Sequence, residues 1–598
     1  MSIKALKKIT LWGLSSEKEE LLRGLQSLGC MHLIPLRQSE ETFGEQSEVQ
    51  SAKDALHWLT SCPMRRRETR RSGELTANDI VNKVQANKLE HRQTADKRDA
   101  LIKRIREVQP WGEFNFAPLR AMASIRLWFY VVPLKEMIAV EALELPYEVV
   151  HQDNKDAYVV VLSKQEPSTD ILPIKRSHVG KHSLDELQIR LEEAEIALED
   201  IQSERETLTR WVYIISQAIA RFQDEQTLQE VASATLEEDQ FFLVSGWMPE
   251  DREQDIRLFV DQKLAAVTFE EPTDEDAPPT LLESSLRTGG GSEAFSFFQV
   301  PGYRSWDPGN MVFYSFSLFF AMIMSDAAYC AILFGIFLMF HKKMGQTEGG
   351  RRLLNMGYFM STLGMLWGVM IGSYFGVAPE PNSVLDKLAF INMNDYNAMM
   401  TLSIVVGVAH LIIANFMNYW INRHKTTSYA HLGWSATMLG GVFMYLGKIG
   451  YIFALLGTTL GWLMIIGGIG TVFWFSSERP YATTKGKILR TLDGLKAIYN
   501  ITGAFGDVLS YMRLFALGLS GASLAMTFNN LAKDALDSSP VTGVLFAGVI
   551  LLLGHVLNFA LCIMSGVVHG MRLNVIEFVN WGMSDEGYPF KAFRKQED

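Results

Sequence analysis

Apolar positions recur along this chain with three different periods, and the changes of period mark its divisions. Between Lys7 and Leu36 the short alternating runs KKITLWGL and CMHLIPL flank SSEKEELLRGLQSLG, whose leucines return every three to four residues. Alternation predicts half-buried strands and the wider spacing a helix, giving strand, helix, strand with Ser15 or Ser16 as the cap. A charged stretch over residues 77–108 predicts a long helix, and the β-branched and aromatic runs SIRLWFYVVP and YVVVLSK predict strands beyond it. Another helix opens at Ser183-Leu184-Asp185-Glu186, a capping-box sequence. Its positions Leu184, Leu187, Leu191, Ala194, Leu198, Ile201, Leu208, Val212 and Ile215 keep a three-four spacing, interrupted once by Arg205. That is coiled-coil spacing, and a coiled coil needs a second helix. The stretch 77–108 is the antiparallel candidate, so a rod is expected near residues 77–108 and 183–225, with the intervening strands as a distal lobe. QFFLVSGWMPEDREQDIRLFVDQK then reads strand, turn, helix, before the breakers of EEPTDEDAPPT and RTGGGS. For residues 1–300 the expectation is an α+β dumbbell of two α/β lobes joined by an antiparallel coiled coil, a shape suited to a spacer or tether.

From Met311 the period gives way to unbroken apolar stretches of spanning length, near 311–324, 327–340, 353–375, 398–420, 431–447, 451–475, 495–528 and 541–581. They predict an all-α polytopic membrane domain over residues 301–598. Residues 311–340 suit one tilted helix or two short ones breaking at Ser325-Asp326, and the loops choose between these. HKKMGQTEGGRR, INRHK and SERPYATTKGKILR are basic, PEPNSVLDKLAFINMND and NNLAKDALDSSP are neutral to acidic, and the two kinds alternate. The positive-inside rule places residues 341–352 in the cytoplasm. Two spans before them keep the charged N-terminal part inside, where MSIKALKKITLWGLSSEKEE offers no signal peptide. About eight helices follow, with both termini cytoplasmic. A helix over 495–528 would be about 50 Å long against a hydrocarbon core of about 30 Å, so the last two are expected to be long and tilted.

Composition removes several classes. A net charge of -11 with no dominant basic face argues against a nucleic-acid partner, and Arg65-Arg66-Arg67 reads as a solvated helix face. Cys30, Cys62, Cys330 and Cys562 lack CxxC spacing, so neither disulfides nor a zinc site is indicated. No GxxxxGK[ST] occurs, so ATP is not bound through a P-loop. No metal or cofactor is expected.

Two polar seams cross the last two spans. His555, Asn558, Cys562, Ser565, His569 and Arg572 fall in one stripe at 3,4,3,4,3 spacing, with Glu577 just off it. On the preceding span Gly503, Gly506, Ser510, Arg513, Ser520 and Thr527 share a face of small and polar residues, with Ala516 and Ser523 close by. Small residues let another helix approach, for plain packing as readily as for function. Arg513 is different, because a guanidinium cannot shed its charge and an intramembrane charge marks function by default. Arg572 is a cytoplasmic anchor if its helix is upright and an intramembrane charge if tilted, and both readings stay open. His410, Asn415 and Asn418 read as satisfied by neighbouring helices, and Asp326 as a cap of the first hairpin's turn.

The stretch GDVLSYMRLFALGLSGASLA resembles closely the penultimate membrane helix of the a/I subunit of V/A-type rotary ATPases, and HGMRLNVIEFVNW followed by EGYPFKAF resembles its last. FFAMIMSDAAY, WGVMIGSYFG, GVAHLIIANF, VSGWMPED and KKITLWGLSSEKEELLRGLQSLGCMHL agree in order, so the resemblance covers nearly the whole chain. It implies a stator subunit, not catalytic by itself, facing a rotating ring of proteolipids that carry membrane carboxylates. The dumbbell becomes the arm that holds E/G-type peripheral stalks and meets a C/d-type central-stalk subunit, with the ATPase head an indirect partner. Arg513 becomes the essential arginine, favouring the charged form of each rotor carboxylate so that it releases its ion, and separating two aqueous half-channels. Arg572 reinforces that field, and His555, Asn558, Ser565, His569, Glu577 and Ser510 line the ion path. Gly503, Gly506 and Ser520 form the rotor-facing surface.

Eukaryotic members tend to carry histidine eight residues after the first arginine, where this chain has Gly521, and glutamate ten before the second, where it has Cys562. The resemblance therefore points to a bacterial or archaeal member in the plasma membrane, with a less polar lumenal half-channel. Proton against sodium, and pumping against synthesis, stay open. The competing expectations are a secondary transporter with a large regulatory domain, which should show internal repeats, and a coiled-coil membrane tether, which leaves Arg513 unexplained.

Overall fold

The computed structural model describes residues 3–37, 48–71, 75–113, 125–142, 145–167, 174–177, 179–180, 182–391, 395–479, 484–538, 542–583 and 585–596. Its internal contacts divide the chain into two units. One holds Ser15–Gly29, Pro35–Phe242 and the tail from Arg594; the other holds the first strand, Cys30–Ile34 and Leu243–Phe593.

In the first unit the helix Ala77–Val108 begins with a full capping box, the Thr76 hydroxyl accepting from the Asp79 N–H while the Asp79 carboxylate accepts from the Thr76 N–H. Leu184–Leu208 runs antiparallel to it. Val108 and Trp111 pack with Leu184 and Leu187 at one end, and Ile80, Val81 and Val84 with Leu208 and Ile215 towards the other. The Ser183 cap is only half a box: Ser183 accepts from the Glu186 N–H, but the Glu186 side chain turns to His182, 2.9 Å away. The three-four spacing also crosses a break, since Thr209–Trp211 is a 3₁₀ turn and a new helix, Val212–Ala234, starts after it. A helix that the sequence reading passed over, Glu48–Thr60, packs Val49, Ala52, Ala55 and Leu59 against both. Arg65–Arg67 lies beyond that helix in exposed irregular backbone and not on a helix face. Arg70 by contrast covers the Tyr213 ring, at 5.7 Å. Four strands, Arg126–Pro133, Tyr147–Gln152, Asp156–Ser163 and Arg176–Ser177, form an antiparallel sheet that buries Trp128, Tyr130, Val132, Val159 and Val161 on one side.

In the second unit a sheet runs in the order His32–Ile34, Phe241–Pro249, Leu6–Leu14, Ala265–Glu270. Among its described residues six helical segments are long and apolar enough to cross a bilayer: Ala327–Met344, Glu348–Ile371, Tyr396–Ile421, Ala454–Phe475, Lys485–Ser538 and Thr542–Gly582. Gly309–Met324 is a shorter apolar helix, and Tyr429–Ile449 is a further one, which packs along Ala454–Phe475 through glycines. A Cβ on Gly440 would stand 2.8 Å from the Gly461 carbonyl oxygen, so these backbones approach as only small residues allow. Between Gly309–Met324 and Ala327–Met344 the chain reverses at Ser325, which takes left-handed φ 48. Asp326 caps the second helix, accepting from the Ala328 and Tyr329 N–H groups, and its other oxygen accepts from Ser373 Oγ and the Gly376 N–H. A buried carboxylate with four donors is fully satisfied, so Asp326 ties this turn to the next loop.

The run 495–528 departs from its expected single helix. It lies within three helices, Thr484–Tyr499, Ile501–Ser510 and Met512–Ser538, separated at Asn500 and Tyr511. The final segment also changes form: Thr542–Arg572 is α-helical, Leu573–Phe578 is a π-helical turn, and Val579–Gly582 resumes the α-helix. Outward-facing Leu545, Leu552, Leu553, Val556, Leu557 and Val568 are exposed, as lipid-facing residues are.

Candidate functional site

Arg513 occupies the first turn of Met512–Ser538, immediately past the break. There the Tyr511 N–H bonds to the Val508 carbonyl at 3.2 Å and the Leu514 N–H to the Tyr511 carbonyl at 3.0 Å, three-residue spacings that tighten the turn. Arg513 is partly buried, and its Nη1 is enclosed without a hydrogen-bond partner among the described residues. An enclosed guanidinium nitrogen with no acceptor is costly, so a partner is owed to it.

The final segment supplies the facing polar groups. His569 lies in the electrostatic field of both Arg513 and Arg572, and its Nδ1 is likewise enclosed and unpartnered. Arg572 is half-exposed, its Nε 3.8 Å from Glu577 Oε1. Glu577 itself is 2% exposed and its Oε2 has no partner among the described residues. On an ideal α-helix Glu577 falls off the stripe. Leu573–Phe578 is a π-helical turn, and Asn574, Glu577 and Phe578 within it are buried. The Asn574 amide donates to the Gly570 carbonyl, and its oxygen accepts from Ser315.

Further along the same helix the polar residues form a second, fully bonded group. Tyr329 Oη lies 2.7 Å from His555 Nδ1, and His555 Nε2 lies 3.0 Å from Asn529 Oδ1. The His555 ring thus bridges Tyr329 and Asn529 through its two nitrogens. Asn558 donates to Tyr329 Oη at 3.2 Å and to the Gly521 carbonyl at 2.9 Å. Ser565 sits half-buried between the two groups along the helix.

The small-residue face is open. Gly503 and Gly506 have no atom within 4 Å of where a Cβ would stand, and Ser520 is exposed, so these residues do no packing inside this chain. Ser510 donates to the Gly506 carbonyl.

The sequence reading missed Tyr329, Asn529 and Tyr511 as members of these groups. Asp507 accepts a 2.8 Å bond from the Trp581 indole. His410 is satisfied at Nδ1, 2.8 Å from Tyr511 Oη, but its Nε2 is enclosed and unpartnered among the described residues. Asn418 donates to the Trp581 carbonyl, and Asn415 to that of Leu411. Only Tyr329 carried a local signal, three residues past the capping Asp326; the others are brought in by long-range packing. Among the described residues no cluster of His, Cys, Asp and Glu is arranged to hold a metal ion.

Helices long and apolar enough to span a bilayer, with arginines, imidazoles and a carboxylate on the last two segments, define the class as a polytopic membrane protein. The chain is a homologue, along most of its length, of bacterial and archaeal proteins named V-type and A-type ATP synthase subunit I. It is 24% identical over 597 residues to V-type ATP synthase subunit I of Chlamydia pneumoniae, covering 87% of this chain and 86% of that one. The same-named protein of Borreliella burgdorferi is 22% identical over 617 residues, 99% of each chain. A-type ATP synthase subunit I of Methanocaldococcus jannaschii is 26% identical over 446 residues, 68% of this chain and 63% of that one. No protein-family model matches.

Proposed function

We propose that this chain is the stator subunit of a V/A-type rotary ATPase and forms, with a ring of small carboxylate-bearing membrane proteins, the path by which protons or sodium ions cross the bilayer. It translocates ions only as part of the complex and catalyses nothing by itself. The observation that carries this reading is Arg513: its guanidinium has an enclosed nitrogen without a partner among the described residues, just past the helix Ile501–Ser510, on which Gly503 and Gly506 are open. A succession of carboxylates arriving on a rotor supplies that acceptor from another chain. Each is stabilised in its ionised form opposite the arginine, so it releases its ion there and reloads before re-entering lipid.

Arg513 divides the path. The Asn558–Tyr329–His555–Asn529 chain lines access on one side, and His569, Arg572 and Glu577 line it on the other, with Ser565 and Ser510 between. Gly503, Gly506 and Ser520 face the ring. The N-terminal half, as two α/β lobes on an antiparallel coiled-coil rod, holds E/G-type peripheral stalks and meets the C/d-type central-stalk subunit and, through the stalks, the ATPase head. Both termini are cytoplasmic in a plasma membrane whose positive-inside loops are residues 341–352, 421–425 and 477–490.

Purification of this chain from its native membrane tests the reading. A ring of small membrane proteins and an ATPase head should accompany it; a chain that purifies alone and carries solute into liposomes would overturn it in favour of a secondary transporter.

A further inference from the structure

We infer that Tyr511 and His410 form a clamp that aims Arg513, making both positioning residues for ion transfer; the inference rests on the ion-handling role proposed for Arg513. Arg513 starts a new helix, so its direction relative to the Gly503–Gly506 face depends on the geometry of the break rather than on one continuous helical ladder. A three-residue turn rotates the chain by about 120° per residue where an α-helix turns about 100°, so making or losing this turn moves every later side chain around the axis.

What holds the turn is the Tyr511 side chain, which is 0% exposed although most of its neighbours on this stretch are not. Its ring fills a socket left by Gly407, where a Cβ would stand 2.3 Å from the ring's Cγ. Its hydroxyl reaches His410 Nδ1 at 2.8 Å. His410 is held in turn from two further elements: Phe578 of the π turn stacks on it at 4.3 Å and 16°, and Phe319 of the first hairpin meets it edge-on at 5.0 Å and 84°. Phe319 also meets the Tyr511 ring at 5.8 Å and 75°. Three helical segments thus converge on a residue two positions before the arginine. The π turn contributes both Phe578 to this clamp and Glu577 to the site, so one departure from α-helical geometry sets the two together.

The test uses the complete complex carrying variants of this chain, reconstituted in liposomes, and reads the number of ions moved per ATP hydrolysed. Tyr511→Phe keeps the ring and removes only the hydroxyl, His410→Leu removes its partner, and His410→Gln restores an amide that can bond the hydroxyl. The first two should lower the ratio at least about tenfold in assembled complexes, within the ~10²-fold scale that an ångström's misplacement costs, and His410→Gln should recover most of it. A purely structural role would lower the yield of complex and leave the ratio of the assembled fraction unchanged, which overturns the clamp. His410→Gln as defective as His410→Leu also overturns it, because a titrating imidazole would then be what matters. Arg513→Ala is measured alongside: if it pumps normally the proposed function fails, whereas its failure beside normally coupled clamp variants rejects the clamp alone.

Discussion

Gly521 and Cys562 face each other where the last two membrane segments cross: a Cβ built on Gly521 would stand 2.8 Å from the Cys562 sulfur. These are the two positions at which the sequence departs from the eukaryotic pattern of histidine and glutamate, so the two departures share one spot. A small residue on one helix leaves room for the thiol on the other.

That contact predicts non-additive stability. Gly521→Ala should destabilise the purified complex by about 1–3 kcal/mol through overpacking. Cys562→Ala should relieve most of that cost in the double variant, a coupling that thermal unfolding in detergent measures. Additive effects would mean that the two residues do not touch.

Arg205, the polar interruption of the coiled-coil spacing, is buried beside the Glu48–Thr60 helix. Its guanidinium lies 3.7 Å from the Trp58 ring centroid and donates to the Trp58 carbonyl at 2.7 Å and to Ser61 Oγ at 2.9 Å. Arg205→Ala should cost about 2–3 kcal/mol, from the lost charge-assisted bonds and the lost cation–π contact. Hydrogen exchange of residues 48–60 should speed accordingly while that of residues 126–133 stays unchanged.

His32 gives the C-terminal segment a pH dependence. Its Nδ1 accepts the Lys591 N–H at 2.9 Å, and the Phe593 N–H bonds to the Met31 carbonyl beside it. Burial holds the His32 pKa below the usual 6.5, so the unfolded segment binds the proton more readily than the docked one. The contribution is therefore complete above about pH 6.5 and is lost as pH falls from there through the lower docked value. Protection factors of the Lys591 and Phe593 amides should hold between pH 8 and 7 and drop below 6.5. In His32→Leu that step should vanish.

An open glycine face makes a separate prediction. A Cβ at position 506 would meet no atom within 4 Å, and Gly506→Leu gains about 0.5–1 kcal/mol of helix propensity, so the chain's own thermal stability should hold or rise. ATP-driven ion transport by the complex should fall to background, because the added side chain occupies the space the rotor needs. Normal transport would show that this face does not meet the ring.

Much of this architecture was legible because periodicity reports burial directly. The leucine spacing after Ser183, the β-branched and aromatic residues of RLWFYVV and the Ser325-Asp326 punctuation all leave local traces of the elements that formed. The break at Tyr511 left none, since SYMRLFALG is sound helix-forming sequence and only Gly407 and His410, a hundred residues earlier, make the socket that turns it. The π turn at Leu573–Phe578 was hidden for the same kind of reason, since packing and not local sequence sets it. The arginines stood out because a charge in an apolar run is conspicuous in any structure. Tyr329 and Asn529, in the other group, are ordinary residues until the fold brings them to His555.

The central claim is that Arg513, whose Nη1 has no partner among the described residues, is met by rotor carboxylates one after another. Its most direct test is ATP-driven ion uptake by liposomes holding the complete complex with Arg513→Ala. The account predicts a complex assembled in normal yield whose uptake is at background, and normal coupled uptake by that variant would contradict it.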